Sequence, residues 1–217
     1  MRPEEISNYF VQVFPEFNKE ERRLSLALYR LLSLGKPVTM EALQQATALP
    51  ANAITQTLQT WPGVFFDNDD RVVAFWGLTL EKTRHRMIID GHTLYTWCAW
   101  DTLFIPPLLQ SSARVTSSCP LTGNEIELTV SPAGATAIGN DAVYVSFLTP
   151  DIDQLKKDVI TCFCHFVYFF DNPKVAEQWI AEHAGTFLLS LNDAFLVGKQ
   201  VNDTRYQSST HTQGQPK

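Results

Sequence analysis

The first third of the chain carries apolar residues at the spacing of amphipathic helices. After a first helical run within residues 4–18, Asn18 is suited to cap a second helix, because its side chain can accept hydrogen bonds from the backbone of the first turn. Glycine and proline residues separate the later helical runs, as expected at helix ends. The pattern predicts helices over residues 18–35, from residue 39 onwards and over residues 50–61.

Two short apolar runs, residues 64–66 and 72–76, predict a hairpin, because the acidic residues 67–70 between them favour a turn. Three helices followed by a hairpin is the order of elements in a winged helix-turn-helix. DNA binding is disfavoured, since residues 37–70 contain no Lys or Arg and affinity for duplex DNA depends largely on neutralising phosphates. We expect this module to act as a helical lid or packing partner for the rest of the chain.

From residue 77 onwards the apolar residues are spaced mainly as in strands. Strands are predicted within residues 77–91 and over residues 113–118, 126–130, 142–148 and 160–170. On the last of these strands Cys162 and Cys164 would face the same side, because side chains alternate between the two faces of a strand. An amphipathic helix is predicted over residues 175–183, and a helix or strand pair over residues 187–197.

These elements predict an α+β fold. Residues 1–80 form the winged helix-turn-helix-like helical module, which packs on a C-terminal domain, residues 81–202, built from a mixed or antiparallel β-sheet with flanking helices. The polar residues 203–217 are expected to form a disordered tail. With 217 residues, of which 45% are hydrophobic and 18% charged, the chain has the composition of a globular protein.

The formal net charge of −6 argues against nucleic acid or a membrane surface as the principal partner. No apolar run reaches the roughly 18 residues that a membrane helix needs, and the acidic start lacks the pattern of a signal peptide. We therefore expect a cytoplasmic protein whose four cysteines remain thiols. Phosphate loops, zinc-protease motifs and serine-hydrolase motifs are absent from the sequence.

Candidate chemistry concentrates in residues 92–104, where the thiol of Cys98 and the carboxylate of Asp101 lie three positions apart among aromatic and aliphatic residues. If this stretch is a helix that continues to Phe104 and ends at Pro106–Pro107, the two side chains share one face. Apolar surroundings raise the pKa of a carboxyl group, so Asp101 is suited to take up and return a proton.

A Cys–Asp unit with a distant second cysteine is compatible with three chemistries. Nucleophilic attack by a thiolate normally needs a histidine base, for which His92 and His165 are the nearest in sequence. Reversible disulfide chemistry favours a Cys-x-x-Cys pair, which the chain lacks. The third is capture of a soft metal ion by paired thiolates, the preferred ligands of soft ions. Residue spacing alone does not decide among the three.

Three sequence blocks, in the same order, resemble the active-site segments of the organomercurial lyase (alkylmercury lyase) family. They are residues 94–103 around Cys98, residues 113–132 around Cys119, and residues 163–170 around Cys164, followed by Trp179. Including the helical front end, the resemblance extends over roughly residues 20–200. One block alone would be weak, but three ordered blocks together are specific to this family.

The resemblance implies cleavage of a carbon–mercury bond by protonolysis, which yields a hydrocarbon and Hg(II). Cys98 and Cys164 match the mercury-binding cysteines of the family and Asp101 its proton-handling aspartate, so substrate and product mercury would lie among these three residues. No cofactor or added metal would be needed. Small cellular thiols would release Hg(II) from the protein, and a mercuric reductase would receive it.

The chain departs from the family pattern at two places. Trp100 stands where members often have Leu, which bears on the width of the pocket and on the preferred organic group. Cys162 is an additional thiol beside the third block, and His165 stands where some members carry another cysteine. The register favours Cys164 over Cys162 as the second ligand. Cys119 matches a family cysteine that looks structural, and we expect it to be buried and catalytically silent.

The principal alternative is a protein that binds or senses a soft metal such as mercury without catalysis. Such a protein would use the same Cys98–Cys164 pair but would not require Asp101. A sensor would read DNA with the N-terminal module, whose acidic surface counts against that role. A cysteine hydrolase would instead require a histidine within reach of Cys98.

Overall fold

The computed structural model describes residues 3–13, 16–140, 142–149 and 158–207. Within these residues the helices are α1 Pro3–Val13, α2 Lys19–Leu32, α3 Met40–Thr47, α4 Ala51–Thr60, α5 Asp101–Leu108, α6 Val159–Cys162, α7 Pro173–Glu182 and α8 Leu191–Gln207. The strands are β1 Val64–Phe66, β2 Val72–Phe75, β3 Leu78–Thr79, β4 His85–Ile89, β5 His92–Thr96, β6 Ala113–Ser118, β7 Glu125–Ser131, β8 Gly134–Ala137, β9 Tyr144–Leu148, β10 Phe169–Phe170 and β11 Thr186–Ser190. The combination of helices and antiparallel sheets confirms the predicted α+β class.

Local sequence signals set the start of the N-terminal helices. The Asn18 side chain accepts hydrogen bonds from the backbone of Glu20 and Glu21, while the Glu21 carboxylate accepts one from the backbone N–H of Asn18 at 2.8 Å. This reciprocal capping box satisfies donors that the first turn leaves without helical partners. Thr39 caps α3 in a similar way, by accepting from the N–H of Ala42. The predicted N-terminal helices are therefore confirmed.

The larger sheet has eight strands in the order β1-β2-β3-β5-β4-β6-β7-β8, and all neighbouring strands are antiparallel. The predicted β1–β2 hairpin forms one edge of this sheet, where Arg71 binds the Asp67 carboxylate across the turn. The sheet thus continues through residue 80. The winged helix-turn-helix arrangement and the division into two domains at that residue remain predictions.

A second sheet contains three antiparallel strands in the order β10-β9-β11. The segment that leads into this sheet differs from the prediction, because residues 160–170 do not form one buried strand. Residues 159–162 are helical, residues 164–166 form a 3₁₀ turn, and only Phe169 and Phe170 are in a strand. A short run of aromatic and β-branched residues is ambiguous in this way, since periodicity cannot separate a buried strand from a buried helical turn.

The C-terminal elements resolve a prediction that left two choices. Residues 187–197 are neither one helix nor a strand pair, because β11 ends at Ser190 and α8 begins at Leu191. α8 continues to Gln207, so the first five residues of the predicted disordered tail, residues 203–207, are helical. Residues 208–217 of that tail lie outside the described residues.

α8 packs against α1, α5 and β11 and so lies beside the segment that follows Cys98. The N-terminal helix reaches the same place through Phe10, whose ring centroid lies 4.8 Å from that of Trp100 and 5.3 Å from that of Phe163. In the part of the chain that the structure describes, no helix combines the length and apolarity that crossing a bilayer would require.

Candidate active site

Cys98 lies in a turn between strand β5 and helix α5, so the prediction of one helix from residue 92 to Phe104 is wrong. Residues 92–96 pair with β4 instead, and the helix begins at Asp101 and continues through both Pro106 and Pro107. The prolines remove two N–H donors, but their carbonyl groups still accept hydrogen bonds from the backbone N–H groups of residues 111 and 110.

Hydrogen bonds to side chains hold this turn and bring Asp101 to Cys98 despite the missing helix. The Asp101 carboxylate accepts from the backbone N–H of Cys98 at 2.9 Å, and the Thr96 hydroxyl donates to the carbonyl of Cys98 at 2.8 Å. An aspartate in the first turn of a helix that folds back over the preceding turn is a common cap geometry. The three-residue spacing therefore predicted the proximity correctly, although for a different structural reason.

Gly77 supports Asp101 from the other side of the turn. Its carbonyl accepts a hydrogen bond from the N–H of Trp97, and its φ angle is +94°. A Cβ atom built at Gly77 would lie 2.5 Å from both Cγ and Oδ1 of Asp101, which is well inside van der Waals contact. Glycine is therefore required here both by the backbone conformation and by the carboxyl group that lies against it.

The Cys164 segment approaches the turn from the smaller sheet. Val167 accepts a hydrogen bond from the N–H of Ala99 at 3.1 Å, and its own N–H donates to the carbonyl of Cys164 at 3.2 Å. This backbone contact places Cys164 beside Cys98, which is 66 positions earlier in the chain.

Cys98, Asp101 and Cys164 form one compact cluster. One potential ligand atom from each residue lies within 4.8 Å of the others, and the residues are 0%, 6% and 3% exposed. Two sulfur atoms and one carboxylate oxygen, screened from water, are suited to a soft metal ion with a proton donor beside it. The structure thus brings together the three residues that the sequence singled out.

Burial also sets the protonation of the cluster. Desolvation raises the pKa of Asp101 to about 7, although a hydrogen bond with the Cys98 thiol opposes the shift. The pKa of Cys98 lies well above its ordinary value, mainly because of desolvation and to a smaller extent because of a hydrogen bond with Cys164. For Cys164, the hydrogen bond from Cys98 lowers the pKa, but burial and the nearby Asp101 outweigh it and the net pKa is raised. Near neutral pH both sulfurs are thiols, and Asp101 is poised between its two forms.

A small cavity of about 30 Å³ adjoins the cluster. Aromatic side chains form much of its wall, namely Tyr29, Trp76, Trp97, Trp100, Phe104 and Phe163. Trp100 is fixed by a hydrogen bond from its indole N–H to the carbonyl of Ala194 on α8, at 3.0 Å. A cavity of this size has room for only about one or two water molecules. Together with the burial of Asp101 itself, it leaves a proton on this residue little access to bulk solvent.

The other residues considered from the sequence lie outside the cluster. Cys119 is buried in the β6–β7 turn, where its carbonyl accepts from Gly123, and Cys162 is half-buried on α6. His92 and His165 are both exposed, and the cluster of described residues around Cys98 contains no histidine. The arrangement therefore lacks the thiol–histidine pair that a cysteine hydrolase would need.

Sequence reasoning missed two residues that border the site. The pattern predicts only a strand-and-turn region around Gly77, although glycine between a tryptophan and a strand is a turn signal. Arg205, which lines the cavity, falls within the segment predicted to be a disordered tail. The buried Val201 one turn earlier on α8 was the available sign that the helix continues.

Comparison with known proteins supports the resemblance. The sequence model of the alkylmercury lyase family, MerB, matches residues 78–203. The chain is 36% identical over 213 residues to the alkylmercury lyase of Staphylococcus epidermidis, with 96% of each protein covered. It is 39% identical over 183 residues to the alkylmercury lyase of Pseudomonas putida, with 84% of each covered.

Among solved structures, the crystal structure of the mercury-bound form of MerB2 has a similar fold. The TM-score is 0.77 at 20% sequence identity, with 92% of this chain and 98% of the other chain covered. At this identity the likeness concerns the fold, whereas the family assignment rests on the sequence matches.

Proposed function

We propose that this chain, which belongs to the alkylmercury lyase family, cleaves the carbon–mercury bond of organomercury compounds by protonolysis to give a hydrocarbon and Hg(II). The observation that carries the proposal is the buried cluster of Cys98, Asp101 and Cys164. It offers two soft sulfur ligands for mercury and one carboxyl group whose pKa is raised to about 7 by burial.

In the first step the Cys98 sulfur replaces the thiol ligand of a complex R–Hg–SR′. A bond forms between mercury and the Cys98 sulfur, and the bond between mercury and the R′S ligand breaks. The departing R′S group takes the Cys98 proton and leaves as R′SH. This exchange does not require a free thiolate at the outset, which suits a thiol whose pKa is raised by burial. The organic group then lies against the aromatic wall of the cavity.

In the second step the Cys164 sulfur bonds to mercury, and its proton passes to the Asp101 carboxylate. Asp101 then delivers this proton to the carbon atom, which keeps the electron pair of the breaking carbon–mercury bond and leaves as R–H. Mercury remains as Hg(II) between the two sulfurs, and Asp101 returns to its carboxylate form. The second sulfur raises the electron density on carbon, which eases its protonation.

Three features support the role of Asp101 as the proton carrier. It lies within 4.8 Å of both sulfurs, burial brings its pKa close to neutral pH, and Gly77 fixes its carboxyl group by contact. A general acid–base group is most effective when its pKa lies near the working pH. The small apolar cavity keeps solvent from competing with carbon for the proton.

The proposal includes the partners that the family resemblance implies. It needs no cofactor, because the two thiols and the carboxyl group supply every proton and ligand in the two steps. Small thiols remove Hg(II) by exchange and can pass it to a mercuric reductase. All four cysteines are free, and a reducing cytoplasm would keep them so.

Headspace gas chromatography of methane tests the proposal directly. The reduced protein is mixed with methylmercury and an excess of small thiol, and Cys98→Ser and Cys164→Ser are compared with Cys119→Ser. We expect methane from the wild type and from Cys119→Ser, because Cys119 is buried away from the cluster, and none from the other two variants.

A non-catalytic soft-metal carrier is the second candidate, since the same two sulfurs would serve it. Tight binding of several organomercurials without hydrocarbon release in any of them would favour the carrier and refute the lyase.

A further inference from the structure

Trp100 forms a part of the cavity wall that lies beside the cluster. It directly precedes Asp101, and its ring centroid lies 6.2 Å from that of Phe163, which directly precedes Cys164. Both rings line the cavity of about 30 Å³. An organic group on mercury that is bound by the cluster therefore meets Trp100 in the space that remains.

Helix α8 leaves Trp100 no room to withdraw on one side. The indole N–H donates to the carbonyl of Ala194 at 3.0 Å, and the residue is only 2% exposed. Gly198, one turn further along α8, also borders the indole. A Cβ atom built at Gly198 would lie 3.2 Å from Nε1 of Trp100, which is tighter than ordinary contact. The indole thus lies directly against the backbone of α8 and cannot shift towards that helix.

Aromatic rings occupy further sides of Trp100. The ring centroids of Phe10, Phe104 and Phe147 lie 4.8, 5.1 and 5.4 Å from that of Trp100. Phe10 and Phe147 are buried themselves, so they have no free space behind them. A packed interior resists even one additional methylene, because the neighbouring side chains must leave their preferred rotamers. The position of Trp100 is therefore fixed, and the cavity does not widen on its side.

The volume of the cavity indicates which organic groups fit. A volume of about 30 Å³ is close to that of one water molecule in the liquid, and a methyl group is of similar size. By comparison, a cavity that holds benzene in another protein measures about 150 Å³. In the proposed mechanism mercury lies among the three ligand atoms, so the cavity has to hold only the organic group. A methyl group fits, whereas a phenyl group or a longer alkyl chain would displace the cavity wall.

We propose that Trp100 limits the organic group of the substrate to a small alkyl group, with methyl preferred over larger alkyl groups and over aryl groups. The inference rests on the proposed lyase function, because the organic group occupies the cavity during protonolysis. Trp100 selects the substrate, while the cluster carries out the chemistry. Without a size limit an apolar cavity would favour longer chains, since each additional buried CH₂ group strengthens binding.

Three organomercury compounds test this size limit, namely methyl-, butyl- and phenylmercury, each supplied as its complex with 2-mercaptoethanol. Headspace gas chromatography of methane, butane and benzene gives kcat/KM for the wild type, Trp100→Leu and Trp61→Leu. Trp61 is the matched control. It is also a buried tryptophan among aromatic rings, 4.8 Å from Phe17 and 5.5 Å from Phe75, but it does not line the cavity.

We expect the wild type to cleave methylmercury with a kcat/KM at least about tenfold higher than that for butylmercury, because the longer chain overpacks the cavity. Trp100→Leu should raise the ratio of butane to methane release by about ten- to hundredfold, since the smaller side chain relieves this overpacking. The ratio of benzene to methane release should rise as well. Trp61→Leu should keep both wild-type ratios. Differences in intrinsic reactivity cancel, because the same compounds are used with every variant.

Several outcomes would overturn the size limit. One is a wild type that cleaves butylmercury as efficiently as methylmercury, and another is an unchanged butane-to-methane ratio in Trp100→Leu. A lower benzene-to-methane ratio in Trp100→Leu would show that the indole attracts aryl groups by stacking, which is the opposite of the proposed role.

Failure of the inference and failure of the proposed function give different results. If the wild type releases no hydrocarbon from any of the three compounds, the lyase function itself is refuted. If methane is released but the ratios do not depend on Trp100, only the size limit is refuted. If Trp100→Leu does not fold, as judged by circular dichroism, Trp100→Phe takes its place, because phenylalanine is smaller but keeps an aromatic ring in the packed cluster. Unchanged ratios in a folded Trp100→Phe would then contradict the size limit.

Discussion

Cys98 and Cys164 lie on two segments whose backbones are held in different ways. The Cys98 turn joins a strand of the larger sheet to α5, and it is fixed by the Asp101 carboxylate, by the Thr96 hydroxyl and by the close contact with Gly77. The Cys164 segment is a single 3₁₀ turn next to the smaller sheet.

The hydroxyl of Ser146, a residue of β9, supports that second segment. It donates to the carbonyl of Phe166 at 2.7 Å and accepts from the N–H of Tyr168 at 3.0 Å. The Cys98 turn is therefore held by two side-chain hydrogen bonds and by a contact between Gly77 and Asp101 that admits no additional atom. The Cys164 turn is held by one side chain that bridges it and by the backbone contact of Val167 with Ala99. We expect changes on the Cys98 side to reduce catalysis more than equivalent changes on the Cys164 side.

The largest effect is expected for Asp101→Asn, which keeps the size of the side chain but removes the transferable proton. Hydrocarbon release should fall by roughly 10²–10⁴-fold, the usual contribution of a general acid–base group. Mercury binding should be largely retained, because both sulfurs are unchanged. Single-turnover methane release and a competition titration with Hg(II) measure the two properties separately, and a loss of binding would contradict the role given to Asp101.

Gly77→Ala is expected to reduce activity by about 10²-fold, because the new methyl group displaces the Asp101 carboxyl and small misplacements of catalytic groups have effects of this size. The matched control is Gly91→Ala. Gly91 also has a positive φ angle, +82°, but nothing lies within 4 Å of an added Cβ. Both variants should lose stability in thermal denaturation, whereas only Gly77→Ala should lose activity; equal activities would rule out positioning by Gly77.

The pH dependence should reflect Asp101, whose pKa is raised by burial to about 7. In the proposed mechanism its carboxylate accepts the Cys164 proton, so kcat/KM should fall about tenfold per pH unit below 7 and level off above it. Stability should change in the opposite sense. The unfolded carboxyl ionises near its ordinary pKa of 3.8 while the folded one remains protonated, so unfolding becomes easier as pH rises towards 7.

Comparison with Asp101→Asn isolates this titration. Denaturant titrations at several pH values should show the wild type losing stability relative to the variant between pH 4 and 7, with little further change above pH 7. A constant difference over that interval would show that the folded carboxyl ionises with its ordinary pKa.

The smallest effect is expected for Ser146→Ala on the Cys164 side. The variant loses two hydrogen bonds, which should lower the free energy of unfolding by about 1–3 kcal/mol and reduce activity by less than tenfold. Ser131→Ala is the matched control, because the Ser131 hydroxyl makes the same pair of contacts, with Gly134 and Ala133, in the β7–β8 turn. A loss of activity as large as that of Gly77→Ala would contradict the difference between the two segments.

The sequence predicted best where a local signal decides the structure. Asn18 and Glu21 mark the start of α2, and the alternation of apolar residues predicts β6 and β7 correctly, because both signals act within a few residues. The family resemblance singled out Cys98, Asp101 and Cys164 before their proximity was visible.

Prediction from the sequence failed where contacts between distant parts of the chain decide the structure. Residues 92–96 are too few for their periodicity to separate a helix from a strand, and pairing with β4 selects the strand. The 3₁₀ turn at Cys164 depends on Ser146, a residue of another strand, and the contact of Gly77 with Asp101 joins positions 24 residues apart. The polar C-terminal part of α8, with Arg205, is helical because one face packs on the rest of the protein, a cause that polarity along the sequence does not record.

The protonation of Cys98 and Cys164 also affects how readily oxidants react with them when no substrate is bound. Peroxides and other oxidants attack thiolates rather than thiols, and low pKa and exposure are what make a cysteine vulnerable. Cys98 and Cys164 are buried and have raised pKa values. Mercury can displace a thiol proton without prior ionisation, whereas an oxidant cannot use the same route. The burial that raises the pKa of Asp101 thus also keeps both sulfurs in the thiol form, which oxidants attack least.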